Sequence, residues 1–178
     1  RHPVRVRYAR ARQRARHPNQ GYLAVEAIPE AKADTPWTEG QAQFRFKAGD
    51  LKAWPSVKQA EVRVMNRWVE SHLPVVRVDE TERLVNFGKR SVFKLEAGDL
   101  YYIEHALELL DAPGEWYLDR AEGRLYYSPM PGETIEKAEV IAPVVQNTLL
   151  AVTGAAEKPV RNLHFKGLHV EHVDWPLP

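Results

Sequence analysis

His164, His169, Glu171, His172 and Asp174 crowd near the end of the chain, with Trp175 beside them. Imidazoles and carboxylates at such density invite three kinds of chemistry. For zinc they are the right donors, but a strand repeat of two residues puts His169 and Glu171 on one face and sends His172 to the other. No metal site is assigned. As a glycosidase pair, Glu171 and Asp174 would need carboxyl groups about 5–9.5 Å apart with opposed pKa values, which linear spacing does not fix. No catalytic residue is assigned either. Sugar binding asks for less: an aromatic face for C–H contact and a few polar groups at its rim. Trp175, His172 and Asp174 form that candidate substrate-binding set. The plainer reading, favoured on sequence alone, is a packed Trp at a strand end beside a solvated polar face.

Other chemistries lack their residues. The chain has no Cys, hence no thiol nucleophile, disulfide framework or Cys-based zinc site. Neither a Gly-rich phosphate loop nor His-Glu-x-x-His nor Gly-x-Ser-x-Gly occurs, and Ser is scarce. No cofactor is expected. No apolar run approaches the roughly 20 residues that span a bilayer, so no membrane partner is expected.

The net charge of +1 conceals an uneven distribution. Residues 1–17 hold seven Arg, two His and no acid; removing those seven from the 25 basic residues leaves 18 against 24 acidic ones, a balance of −6. Arg10, Arg12, Arg14 and Arg16 alternate with small or neutral residues, which places them on one face of a strand. A basic strand of this kind grips polyanions or is paired with carboxylates elsewhere. Tyr8 is the one aromatic interleaved with these arginines, so the second reading is preferred and nucleic acid is not the expected partner.

The elements that must position these residues read as strands and turns. Trp116–Leu118 and Leu125–Tyr127 flank Asp119-Arg120-Ala121-Glu122-Gly123, which predicts a β-hairpin fenced by Pro113-Gly114 and Pro129 to Gly132. Upstream, Tyr22–Val25, Gln41–Lys47, Glu61–Val69, Leu73–Val78 and Arg83–Phe87 read as short strands, with Pro29–Gly40 as a loop and Gly49-Asp50 as a turn. Such spacing suggests a small antiparallel sandwich or barrel. His105–Leu110 is the one helical turn. Trp37 and Trp54 sit near loops, where a binding surface competes with core packing, and Trp68 and Trp116 read as core. Downstream, Ala138–Ala142 and Thr148–Val152 read as apolar strands and Gly154–Lys158 as a loop. Leu163 and Phe165 then share a face, and after Gly167 the apolar parity flips to Leu168 and Val170. A Gly where one strand bends into the next without a hairpin is how a parallel β-helix turns a corner.

The order Tyr101-Tyr102-Ile103-Glu104, Ala106 to Asp111, Pro113 to Arg120, Gly123 and Leu125-Tyr126-Tyr127 resembles a segment of bacterial right-handed parallel β-helix proteins, glycoside hydrolase family 141 in particular. The similarity continues through Ala142-Pro143 and Asn162 to Leu168. Upstream it includes Arg14 to Tyr22, where the family usually has an aromatic at the His17 position. The resemblance implies an all-β chain: an antiparallel β-sandwich or barrel-like inserted domain joined to the opening rungs of a right-handed parallel β-helix. Its expected divisions are N-terminal strands of the helix side at 1–22, the inserted domain at 23–100, a connector with the hairpin at 101–132, and truncated first rungs at 133–178. It further implies a non-catalytic portion of a polysaccharide-acting enzyme, inactive alone, with the remainder of the parent chain and a polysaccharide or oligosaccharide as partners, in an extracellular or periplasmic setting. A stand-alone carbohydrate-binding module is the alternative reading, and a polyanion binder acting through the Arg-rich start is the third.

Overall fold

A computed structural model describes residues 12–134, 136, 140, 145–146, 148, 150–169 and 173–174. Helical structure among them is confined to short 3-10 turns, including Val57–Gln59 and Leu107–Leu109, and the fold is all-β. The strands are β1 (Gln13–Arg14), β2 (Arg16–His17), β3 (Leu23–Ala24), β4 (Gln43–Arg45), β5 (Glu61–Asn66), β6 (Val69–Asp79), β7 (Leu84–Phe87), β8 (Leu100–Glu104), β9 (Glu115–Asp119), β10 (Arg124–Tyr127), β11 (Val145–Gln146) and β12 (Val173–Asp174).

Residues up to Glu133 form one compact unit. Its main sheet runs β2-β8-β5-β6-β7-β4, with β3 also paired to β8. Strand β6 turns the corner: its first half pairs with β5, a bulge interrupts the register between Val75 and Arg77, and its second half pairs with β7. A bulge increases local twist and bends a strand, which lets one long strand serve two facing layers. A bridge from Ala27 to Arg45 then joins the segment after β3 back to β4, so the layers are sandwich-like and nearly ringed. The alternation expected for Glu61–Asn66 is present, with Val62, Val64 and Asn66 buried and Glu61, Arg63 and Met65 less so. Those side chains join Phe44, Phe46, Leu73, Val85, Tyr101 and Ile103 in the core, where the Phe44 ring lies 4.8 Å from that of Tyr101. The Tyr101 hydroxyl donates to Asp50 at 2.9 Å. Burial, reinforced by that carboxylate, raises its pKa.

The expected hairpin is β9–β10, in which Tyr117 faces Tyr126 and Trp116 faces Tyr127. The Asp119 carboxylate accepts the N–H groups of Ala121 at 3.0 Å and Glu122 at 3.2 Å, and Gly123 takes φ +62° to close the turn. The β6–β7 turn repeats this chemistry, with Asp79 accepting from Thr81 and Glu82 and Arg83 at φ +54°. Strand β9 also has a parallel neighbour, β1, with Gln13 beside Glu115 and Arg14 beside Trp116.

Residues 134–178 form the second unit. Here β11 and β12 pair in parallel, Val145 with Val173 and Gln146 with Asp174. The loop at Gly154–Lys158 is present, closed by an Ala155–Lys158 bridge. No strand forms over Leu150–Val152 or Leu163–Phe165. Gly167 does take the left-handed conformation, φ +71°, at the expected bend. The expected strand Ala138–Ala142 falls outside the described residues except at Val140, as do Val170 and the Arg-rich start through Ala11.

Candidate functional site

Of the substrate-binding set read from the sequence, Asp174 lies in β12 beside Gln146, while His172 and Trp175 lie outside the described residues, as does Glu171. His164 and His169 are exposed on the segment that forms no strand. A different set of aromatic residues comes together in the first unit.

Trp68, expected in the core, is 71% exposed. Asn66 pairs with Val69, so Arg67 and Trp68 are the two-residue tip of the β5–β6 hairpin, and the alternation that predicted burial stops one residue short of Trp68. Tips of this length favour Gly or Asn at a left-handed first position, yet Arg67 holds it at φ +56°. Trp37 is 49% exposed on the loop before β4. Its ring lies 6.0 Å from that of Trp68 and 5.2 Å from that of Phe93, and Trp68 and Phe93 are 5.3 Å apart. The guanidinium of Arg67 stands 5.8 Å over Trp37 and reaches Glu96 at 3.4 Å.

Local chemistry fixes this trio. The Lys94 N–H donates to the Trp37 carbonyl at 2.9 Å, and the Ser91 N–H to the Gln41 carbonyl at 2.9 Å. The buried Gln41 side chain accepts the Leu95 N–H at 2.6 Å and donates to the Glu39 carbonyl at 2.6 Å. At Gly40 the backbones approach so closely that a Cβ would sit 1.7 Å from the Ser91 carbonyl oxygen. Segments 37–41 and 91–95 are therefore laid one on the other before any ligand arrives. Sequence reasoning passed over Phe93 and placed Trp68 inside; the available signal was that β5 and β6 can pair over their whole length only if Arg67-Trp68 is the turn.

A second cluster covers the outer side of β5, β6 and β8. Arg63 reaches Glu104 at 2.8 Å, Glu61 at 3.0 Å and Glu70 at 3.2 Å, touches His72, and shares Glu104 with Arg14 at 3.2 Å. Burial opposes the Arg63 charge, but Glu104 and Glu61 outweigh it and raise its pKa. Burial, and then Arg63, lowers that of His72. Arg16 lies 3.8 Å over the Tyr102 ring and donates to the carbonyls of Pro18 and Gly21. Arg12 pairs with Glu133. The described part of the basic start is thus spent on internal partners, and Arg14 ties β1 to the main sheet.

Where β1 meets β9, two polar groups are buried. Glu115, 3% exposed, accepts the N–H groups of Arg16 at 3.3 Å, Asp111 at 3.3 Å and Ala112 at 3.1 Å. His105, 2% exposed and at φ +66°, packs 5.1 Å from Tyr117, and neither ring nitrogen finds a hydrogen-bond partner. Burial, followed by repulsion from Arg14 and Arg120, lowers its pKa to about 4, against a smaller opposing contribution from the Leu118 backbone. Trp116 is half-buried, its indole N–H donating to the Arg12 carbonyl at 2.9 Å.

The sandwich-like unit with its β9–β10 hairpin has a counterpart among known families. Residues 60–130 match the family model of the GH141 insertion domain. The match runs from the start of β5 through β10 and so includes Trp68, Phe93 and both buried polar groups at the junction, while Trp37 precedes it. A solved structure titled "Glycoside hydrolase" is similar over 92% of this chain, with a TM-score of 0.50 and 20% identity, a likeness of fold. The chain spans 28% of that structure's length. No curated protein matches. Taken together, these likenesses support a glycoside-hydrolase-related module.

Proposed function

We propose that the chain is a non-catalytic part of a polysaccharide-acting, glycoside-hydrolase-like enzyme, comprising an inserted β-domain and the opening rungs of a right-handed parallel β-helix. The observation that carries this reading is the pattern of parallel pairing. Strand β1 lies beside β9 although 102 residues separate Gln13 from Glu115 (115 less 13). A chain that leaves one parallel strand, builds an antiparallel domain and returns to the neighbouring position behaves as an insertion between rungs. Strands β11 and β12 keep the same sense with an offset of 28 residues (173 less 145), the register of one coil laid on the next. Leu163, Phe165 and Leu168 are exposed on a segment that forms no strand, apolar surface that a neighbouring coil would cover.

In this role the chain supports the end of the helix and lends one wall to a substrate groove, with Trp175, His172 and Asp174 at its edge. Its partners are the remainder of the parent chain and a polysaccharide, in an extracellular or periplasmic setting. The catalytic carboxylates belong to later rungs. The test is release of reducing ends from xylan, pectin, fucan and carrageenan: the isolated chain is expected to release none, and turnover by it refutes the reading. The aromatic trio, with Trp37 and Trp68 exposed, favours the second reading, a carbohydrate-binding module.

A further inference from the structure

We infer that Trp37, Trp68 and Phe93 form a stacking platform for a neutral, β-linked polymer of flat-faced pyranoses, a non-catalytic glycan subsite on the inserted domain. The inference deepens the polysaccharide-directed reading and rests on it. Three aromatic rings within 6.0 Å of one another, two of them on exposed Trp residues, cost free energy when left in water. The chain holds them there by unfavourable means. Arg67 occupies a left-handed conformation, worth roughly 1–2 kcal/mol against a non-Gly residue, and that turn puts Trp68 at the hairpin tip. Gly40 and the buried Gln41 press the Trp37 loop onto the Phe93 segment. A merely buried cluster needs neither device.

Its surroundings select the occupant. The rings are mutually tilted by 42–58° and so present faces of differing inclination rather than one flat apolar patch. Exposed Arg67 and Glu96 frame them, and because these two neutralise each other the rim offers hydrogen-bonding groups without a net field. No hydrogen bond among the described residues engages either indole N–H, leaving two donors for hydroxyl groups. A pyranose with equatorial hydroxyls matches this arrangement, with C–H groups on its faces for the rings and hydroxyls at its edge for the rim and indoles. A polyanion would ask for unpaired cations, whereas the Arg67 charge beside the rings is matched by Glu96.

Affinity electrophoresis of the whole chain through gels containing hydroxyethylcellulose, mixed-linkage β-glucan or polygalacturonate tests the platform. Retardation is expected in the first two, with the affinity constant falling at least tenfold in Trp68→Ala and in Phe93→Ala, and little retardation in polygalacturonate. Trp68 is so exposed that its removal should leave the melting temperature within a degree or two of the parent value, which keeps the comparison independent of folding. No retardation in either neutral gel, retardation only by polygalacturonate, or undiminished retardation of Trp68→Ala would each overturn the platform. None of these outcomes bears on whether the isolated chain turns over substrate, so the scaffold reading stands or falls by its own assay.

Discussion

Protonation of His105 should make this protein lose stability over a pH range in which most surface groups are silent. The imidazole is 2% exposed, lacks a hydrogen-bond partner for either nitrogen, and has its pKa lowered to about 4. In the unfolded chain it returns to about 6.5. Between these values the unfolded state binds a proton that the folded state refuses, so stability rises with pH across the window and falls as pH drops through it. The full effect is about 3 kcal/mol, of which roughly 2.5 kcal/mol is spent between pH 7.5 and pH 4.5. His72, lowered in the same direction, adds to the slope. Carboxylates titrate at the acid end as well, so the diagnostic quantity is the difference between the parent protein and His105→Asn. Asn tolerates the left-handed backbone at this position but takes up no proton across this range. Urea unfolding at four pH values from 7.5 to 4.5 should show a steep fall for the parent and one about 2.5 kcal/mol shallower for the variant, whatever their absolute stabilities. Parallel curves would refute the claim that this imidazole is held neutral by its surroundings.

Three further outcomes follow from the geometry. Gly40→Ala should cost about 3 kcal/mol or more, seen as a lowered urea midpoint, since its Cβ would collide with backbone rather than with a side chain that can move. Glu115→Ala strands the backbone N–H groups of Arg16 and Ala112 at the β1–β9 junction, that of Asp111 keeping its bond to the Leu109 carbonyl, and should cost about 2 kcal/mol or more, with Glu115→Gln retaining much of that by keeping acceptor oxygen in place; thermal melts of the two variants distinguish them. Arg63→Met removes the guanidinium that Glu104 and Glu61 share in a half-buried site and should destabilise by about 2–4 kcal/mol at pH 7, read as a lowered urea midpoint.

Local periodicity told the truth wherever one face of a strand meets the core. The two-residue repeat of Glu61–Asn66 and the Asp119–Gly123 turn chemistry appear as read, because each is decided by residues within a few positions of one another. Trp68 escaped because the hairpin tip has no Gly or Asn to mark it; Arg67 bears a strained conformation that composition does not announce. The parallel meeting of β1 and β9 and the passage of β6 between two layers depend on partners far away in sequence, beyond the reach of any window of residues. The strands expected at Thr148–Val152 and Leu163–Phe165 have the right pattern for a pleated surface, but pattern alone supplies no neighbouring backbone. For the candidate site, the sequence offered Trp37 near a loop, gave Phe93 no role and placed Trp68 in the core, since convergence of three segments is a tertiary fact.

The side-by-side placement of Gln13 and Glu115 bears on how such a chain assembles. Bringing together two points about 100 residues apart on a floppy polymer costs on the order of 4 kcal/mol in lost freedom. A domain that folds first and presents both of its ends at one spot removes most of that cost before the strands on either side begin to stack.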